Sequence, residues 1–380
     1  MGGPAESSHR YNASTFEQVE PQLGGDEALA RLVEAVHARG WRVLGDLTTN
    51  HTGDTHEWFE AAVGDPASPE RGYYYFAADG SYEGWNGEPT LPKLDYADQA
   101  LKHRFVEGPD SIVARWLKPP DGFDGWRIDV ANMTGRHVAT DLTHDVARRV
   151  RQTSEAVRAD ALVMAEHGHD ASGDLDGDGW HGTMNYVGFS SPVWTWLRDP
   201  HGQVPSFGLP VPLPRRGGPD AVRTMREYLG RFGWRAFSTS WNILGSHDTP
   251  RIRTVTGSMP RHLVAADLQF TMPGVPMVFA GDELGLEGVN GEDSRRPMPW
   301  SSRGSWDETT LATYTSLARL RRSHVALRRG GLRWADIGDD ALVYLREHPK
   351  VRCWSRPPAA VRGRSRCPPA RSGCATVRCC

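Results

Sequence analysis

The chain has 380 residues, with 44 Lys and Arg against 47 Asp and Glu and a formal net charge of −3. That balance gives no electrostatic case for nucleic acid or an anionic membrane as partner. No apolar run reaches the roughly 18–20 residues that span a bilayer, and the length suits one large domain with part of a second.

The start, Met1-Gly2-Gly3-Pro4-Ala5-Glu6, lacks the apolar core of a signal peptide. The five cysteines, Cys353, Cys367, Cys374, Cys379 and Cys380, all lie in the last thirty or so residues. The main part therefore reads as a reduced, disulfide-free protein, expected in the cytoplasm.

In chain order, the spacing of Leu29, Leu32, Val33 and Val36 predicts a helix over 26–39. A strand over 41–47 follows and runs into Asn50-His51. Residues 52–98 are rich in Gly, Pro, Tyr and Trp, show no helical period and read as a small folded excursion. A helix is predicted over 99–118, a strand over 125–130, a helix over 136–158 and strands over 162–166 and 182–186. Then come a helix over 222–232, a strand over 241–245, a helix over 262–271, a strand over 275–280 and a long helix over 307–324. Alternating strands and helices predict a parallel sheet with helical crossovers, and polar clusters at strand ends suit a (β/α)8 barrel. After Glu347 there is no acidic residue. Residues 350–380, rich in Arg, Pro and Cys, are expected to be disordered.

Four segments end a predicted strand in a polar cluster: Gly45-Asp46-Leu47-Thr48-Thr49-Asn50-His51, Gly125-Trp126-Arg127-Ile128-Asp129, Val163-Met164-Ala165-Glu166 and Leu244-Gly245-Ser246-His247-Asp248. Strand alternation puts Arg127 and Asp129 on one face. An arginine there can hold a carboxylate ionised, as a nucleophile requires, although a purely structural Arg–Asp pair gives the same pattern. Glu166 ends an apolar strand, which suits a general acid, or simply a satisfied strand end. His247-Asp248 and Asn50-His51 can hydrogen-bond sugar hydroxyls, and a third carboxylate can favour positive charge on a sugar ring.

On these four segments the chain resembles the α-amylase superfamily, glycoside hydrolase family 13, over roughly residues 9–348. The resemblance implies that Asp129 is the nucleophile, Glu166 the acid/base and Asp248 the transition-state-stabilising carboxylate. It implies that Arg127 supports the nucleophile, that His51 and His247 hold the sugar, and that Asp46 and Asn50 brace the site. Leu91-Pro92-Lys93-Leu94-Asp95, Gly281-Asp282-Glu283 and Gly291-Glu292-Asp293 look like the neopullulanase, cyclomaltodextrinase and maltogenic amylase branch, and Ser8-His9-Arg10-Tyr11 is similar to maltodextrin glucosidase relatives. The implied activity is retaining cleavage of α-1,4-glucans such as maltodextrins, cyclodextrins or pullulan, with sugar transfer in some members and no organic cofactor.

Six of the family's eight barrel strands are recognised, the third to the eighth. The expectation is a barrel incomplete at both ends, lacking the branch's N-terminal oligomerisation domain. Its parts are a partial barrel over 1–51, a domain B-like excursion over 52–98, the rest of the barrel over 99–325 and the beginning of a C-terminal β domain over 326–349. The alternative is a non-catalytic remnant that binds carbohydrate or is inert.

Asp174-Leu175-Asp176-Gly177-Asp178-Gly179 begins like a calcium loop, but Asn185 stands where a bidentate Glu belongs, so Ca2+ is not expected there. His167-Gly168-His169 resembles a pair of metal ligands, yet a metal cluster leaves Arg127 unexplained. Of the 14 tryptophans, Trp85, Trp126 and Trp300 are candidates for stacking on sugar.

Overall fold

A strand whose five residues are all buried, Gly125–Asp129, lies inside a parallel ladder. The protein is described by a computed structural model covering residues 9–119, 122–202, 204–205, 211–349, 351–356 and 376–379. The expectation about the rest of the tail, residues 357–375, falls outside these. The chain forms two units, Met1–His167 with Gly173–Thr183, and Gly168–Ser172 with Met184–Cys380.

In the first unit, α1 (Gly25–His37) precedes β1 (Gly45–Thr48). The strand is shorter than predicted, because only these four residues are in register with a neighbour. Val33 of α1 is buried, but Leu32 is 55% exposed, so the apolar face is narrower than its spacing suggested. The excursion contains a helix that the sequence did not reveal, α2 (Glu57–Gly64). The His56 ring caps it by accepting from the Trp58 N–H, and Trp58 and Phe59 pack edge-on against Tyr73 and Tyr74.

The predicted helix over 99–118 is two, α3 (Gln99–Phe105) and α4 (Ile112–Arg115). Gly108-Pro109 interrupts it, and Ser111 caps the second piece through the Ala114 N–H. After β2 (Gly125–Asp129), residues expected to begin a helix form a small hairpin, β3 (Arg136–His137) with β4 (Thr140–Asp141). The helix proper is α5 (Thr143–Val157). Next come β5 (Leu162–Ala165) and β6 (Gly182–Thr183).

The order β1-β2-β5-β6 is parallel throughout. Thr48 is level with Asp129, and Ile128 with Ala165, so the segments that follow these strands emerge at one end of the sheet. Gly125 opens β2 at φ +150, and a Cβ there would meet the Leu162 carbonyl at 2.0 Å. Only glycine lets β2 and β5 approach so closely. Burying Trp126 and Ile128 contributes about 1.5–3 kcal/mol each.

In the second unit, the predicted strand over 182–186 gives way to a π-helical turn, Tyr186–Ser190, pinned by the Asn185 side chain on the Gly188 N–H. It leads into α6 (Ser191–Leu197), then α7 (Gly218–Arg231), α8 (Trp234–Thr239) and β7 (Trp241–Ile243). Then α9 (Ile252–Thr256) and α10 (Met259–Thr271) connect β7 to its parallel partner β8 (Val275–Met277). Short α11 (Gly291–Ser294) precedes α12 (Glu308–Ser323) and α13 (Val325–Arg329). Trp194, Trp196, Leu244, Ile252, Leu268 and Tyr344 share this unit's core.

The chain closes on an antiparallel sheet of β9 (Gly331–Ile337), β10 (Leu342–His348), β11 (Val351–Arg356) and β12 (Thr376–Cys379). The last two correct the expectation of a disordered tail from residue 350. Pairing on the free edge of β10 satisfies the backbone groups of 351–356, which composition alone did not reveal.

Candidate active site

Arg127 organises the first unit's polar cluster. Its side chain is 7% exposed. Nη1 donates to Asp129 Oδ1 at 2.9 Å and to both Asp46 oxygens at 2.8 and 3.0 Å. Nη2 stands 3.0 Å from Glu166 Oε2, as an ion pair outside hydrogen-bond geometry. One planar guanidinium thus confines the Asp129 and Glu166 carboxylates to within roughly 8 Å of each other.

Burial opposes the Arg127 charge, but Asp46, Glu166 and Asp129 outweigh it and hold the proton more firmly than usual. Tyr11 joins the cluster, donating to Asp46 Oδ2 at 2.8 Å and accepting from Arg127. Burial and the Asp46 carboxylate push its phenol far above the ordinary range.

The Glu166 carboxyl is not in the apolar setting that its strand suggested. Leu162, Val163, Met164 and Ala165 are apolar, but the carboxyl itself meets the guanidinium and the Val130 N–H, at 2.9 Å. Val130, directly after Asp129, has φ +47. That left-handed conformation is rare for a β-branched residue.

Asn50 and His51 are both buried. Lys93 Nζ donates to Asn50 Oδ1 at 2.6 Å and to the Met133 carbonyl at 3.0 Å, tying the end of β1 to the turn after β2. Burial brings the Lys93 ammonium down to about 8. Burial, with the Lys93 charge, brings His51 down to about 3, which keeps its imidazole neutral. Trp85 is half-buried, with the Lys93 ammonium 5.8 Å from its ring centroid.

Trp126 is 1% exposed and packs edge-on against Phe123. Its Nε1 donates to the Val113 carbonyl. It is a core residue, and the expectation that it stacks on sugar is corrected. Alternation along β2 explains this, because Trp126 points away from the face that carries Arg127 and Asp129.

Carboxylates of the suspected calcium loop face basic side chains of the protein. Asp174 pairs with Arg136 at 2.9 Å, His167 at 2.9 Å and His144 at 3.3 Å. Asp176 faces His144, and Asp178 faces Arg148 at 3.5 Å. Burial alone would raise the Asp174 carboxyl, but hydrogen bonds from His167 and Arg136 bring it down to about 2. His167, read as a possible metal ligand, is bound to Asp174. Among the described residues no group of three or more His, Cys, Asp or Glu could hold a metal ion.

In the second unit, His247 and Asp248 follow β7, with His247 Nε2 3.3 Å from Asp248 Oδ2. Arg295 spans both residues, with Nε on the His247 carbonyl at 2.9 Å and Nη2 3.3 Å from Asp248 Oδ1. Its Nη1 pairs with Glu292 at 3.1 Å. A Cβ on Gly291 would meet the Asp248 backbone at 3.0 Å, so glycine admits this close approach. Asp282 of the Gly281-Asp282-Glu283 motif forms a buried pair with Arg251 at 2.9 Å, and burial raises it to about 7. Trp300 is 73% exposed.

Sequence reading missed Tyr11, Lys93, Val130 and Arg295 as members of these clusters. The first, second and last lay inside or beside quoted motifs. Val130 contributes only its backbone, so its residue type carried no signal.

Residues 4–317 match the family described as alpha amylase, catalytic domain. The chain is 30% identical to an amylopullulanase of Thermoanaerobacter thermohydrosulfuricus over 89% of this chain and 25% of that protein. It is 29% identical to a cyclomaltodextrinase of a Bacillus species, over 90% and 58%. It is 30% identical to neopullulanase 2 of Thermoactinomyces vulgaris, over 89% and 54%. The chain thus spans a quarter to somewhat over half the length of these relatives. Among solved structures, an acarbose-soaked Nostoc punctiforme debranching enzyme superposes with a TM-score of 0.82 at 26% identity, over 93% of this chain and 74% of that one. A cyclomaltodextrinase superposes at 0.80 and 27% identity, over 93% and 57%. The chain belongs to the alpha-amylase catalytic-domain family, glycoside hydrolase family 13, whose fold is the (β/α)8 barrel.

Proposed function

We propose that the protein cleaves α-glucosidic bonds in α-1,4-glucans such as maltodextrins, cyclodextrins or pullulan, with retention of configuration. The observation that carries the reading is the single Arg127 guanidinium paired with both Asp129 and Glu166. In this mechanism an Asp129 oxygen attacks the anomeric carbon. The bond to the leaving oxygen breaks with its electron pair, and Glu166 delivers the proton that oxygen needs. Glu166, now a carboxylate, then takes a proton from water as the water displaces Asp129. A sugar hydroxyl in place of water gives transfer.

Asp248 is assigned the transition-state-stabilising role on its motif alone. Asp46 and Asn50 brace the site. His51 and His247 hold sugar hydroxyls, and Trp85 is the proposed stacking platform. The proposed chemistry uses no organic cofactor, and Ca2+ is not expected at the Asp174 loop. The substrate class follows from the named relatives, which include cyclomaltodextrinases and a neopullulanase. A reducing, cytoplasmic setting is proposed from the cysteine distribution.

The test is NMR of the first products from maltotriose, with cyclodextrin, pullulan and starch run in parallel. Initial α-anomer supports the reading. Initial β-anomer would mean inversion and remove Asp129 as a covalent nucleophile. No turnover on any of the four would favour the non-catalytic remnant.

A further inference from the structure

The turn after the nucleophile strand makes a contact that retention by itself does not require. Val130 adopts φ +47, although a Cβ-branched side chain disfavours the left-handed region. The conformation is held from several sides. The Val130 carbonyl accepts the N–H groups of Met133 and Thr134 at 3.0 and 3.2 Å. Glu166 is laced to the same turn through its own backbone. Its N–H donates to the Ile128 carbonyl at 2.8 Å, and its carbonyl accepts the Ala131 N–H at 3.1 Å. Between these two links the Val130 N–H donates to Glu166 Oε2 at 2.9 Å.

Arg127 Nη2 stands at the same oxygen, 3.0 Å away. Both contacts to the Glu166 side chain among the described residues are therefore to Oε2, and neither is to Oε1. An oxygen that accepts the Val130 N–H and stands beside a guanidinium is the less favourable of the two for a proton, because both neighbours favour a negative charge there. The acid proton is left to Oε1.

We propose that the Val130 backbone N–H is a positioning group that fixes Glu166 Oε2 as an acceptor, so that Glu166 delivers its proton from Oε1. This rests on the reading of Glu166 as acid/base. As the bond from the anomeric carbon to the leaving oxygen breaks, its electron pair stays on that oxygen and takes the Oε1 proton. The bond from the anomeric carbon to Asp129 forms at the same time. The resulting carboxylate remains held at Oε2, with Oε1 aimed to deprotonate the incoming water. Without the Val130 contact the carboxyl can rotate and exchange its two oxygens.

The experiment replaces Val130 in the full chain with the α-hydroxy acid of the same side chain, which exchanges the N–H for an ester oxygen. Two substrates are compared, maltotriose, whose leaving sugar needs a proton, and α-maltosyl fluoride, whose leaving group does not. Losing a hydrogen bond to a charged or acidic group should slow maltotriose cleavage about tenfold or more, with fluoride release changed less than about threefold. Val130→Gly keeps the N–H and suits the backbone angle, so the ratio of the two rates should stay within about twofold of the parent. Equal loss on both substrates in the ester variant, or the same split in Val130→Gly, overturns the proposal.

Glu166→Gln serves as the reference. If it fails to separate the two substrates, the acid/base reading itself fails. If it separates them and the ester variant does not, only the Val130 inference falls. Should the ester variant not fold, amide hydrogen exchange gives the answer. In Glu166→Ala the Val130 amide should exchange about tenfold faster or more, while the Thr134 amide is unchanged. An unaltered Val130 amide overturns the proposal.

Discussion

Two polar clusters in the first unit have opposite stoichiometry. Around Arg127 one cation meets three carboxylates, Asp46, Asp129 and Glu166. Around Asp174 one carboxylate meets Arg136, His167 and His144. Burial does not separate them, since the side chains of Asp129 and Asp174 are 8% and 7% exposed. The number of donors per carboxylate does. A single guanidinium cannot neutralise Asp46 and Asp129 together, so even with the acid proton on Glu166 the Arg127 cluster keeps a surplus of negative charge. That surplus is what a sugar ring gaining positive charge needs. The Asp174 carboxylate is saturated by donors and ties the hairpin after β2 to the residue following Glu166. One cluster is arranged for chemistry, the other for holding its loops.

The largest expected effect falls on the unbalanced cluster. Asp129→Asn should lower maltotriose turnover by about three orders of magnitude or more, since it removes the attacking group while Arg127 remains. Steady-state kinetics checks this, and a loss of less than tenfold would sink the nucleophile assignment. Arg127→Met should act on both stability and rate. It leaves three carboxylates facing one another, at a cost of about 3–5 kcal/mol in denaturant unfolding. Asp46→Asn added to Arg127→Met should recover part of that loss. Full additivity of the two changes would mean that the carboxylates do not share the cation.

Much of this was legible in the sequence because strand alternation is local. The pairing of Arg127 with Asp129, and the emergence of Asn50, Asp129 and Glu166 from parallel strands, follow from period-two geometry and the order of elements. Alternation also held the warning about Trp126, which must point opposite to Arg127. The rest depended on distant pairings. Asp174 reads as a loop carboxylate until Arg136 and His167 are brought to it. Lys93 stands out only as part of a motif until its ammonium is found between Asn50 and Met133. The helix Glu57–Gly64 was missed because aromatic residues at its start obscure the helical period and a histidine caps it.

A middling effect is expected at His51. Its imidazole is held neutral, with its pKa down to about 3 by burial and by the Lys93 charge. It should therefore serve sugar hydroxyls without titrating in the working range. His51→Asn should lower kcat/KM for maltotriose about tenfold, the scale of one to two lost hydrogen bonds. The shape of the pH profile between about 5 and 8 should not change. If the parent shows a limb in that range that disappears in His51→Asn, the neutral assignment is wrong.

The smallest effect on rate, and the most specific on stability, belongs to Asp174. Its carboxyl lies at about 2 in the folded state against an ordinary 3.8. A depressed carboxylate contributes stability that is fully present above the unfolded value and is lost as pH falls through the folded one. The window is therefore from about pH 4 down to about pH 2, and the contribution is about 2 kcal/mol. Asp174→Asn should lower the unfolding free energy at neutral pH by roughly that amount, while the difference from the parent shrinks across the acid window. Maltotriose turnover should fall less than about tenfold, because the residue touches neither Asp129 nor the Glu166 carboxyl. Denaturant unfolding at neutral pH and again near pH 3 measures the first quantity, and steady-state kinetics the second. A variant as stable as the parent at pH 7, or one that loses turnover as heavily as Asp129→Asn, would erase the distinction between the two clusters.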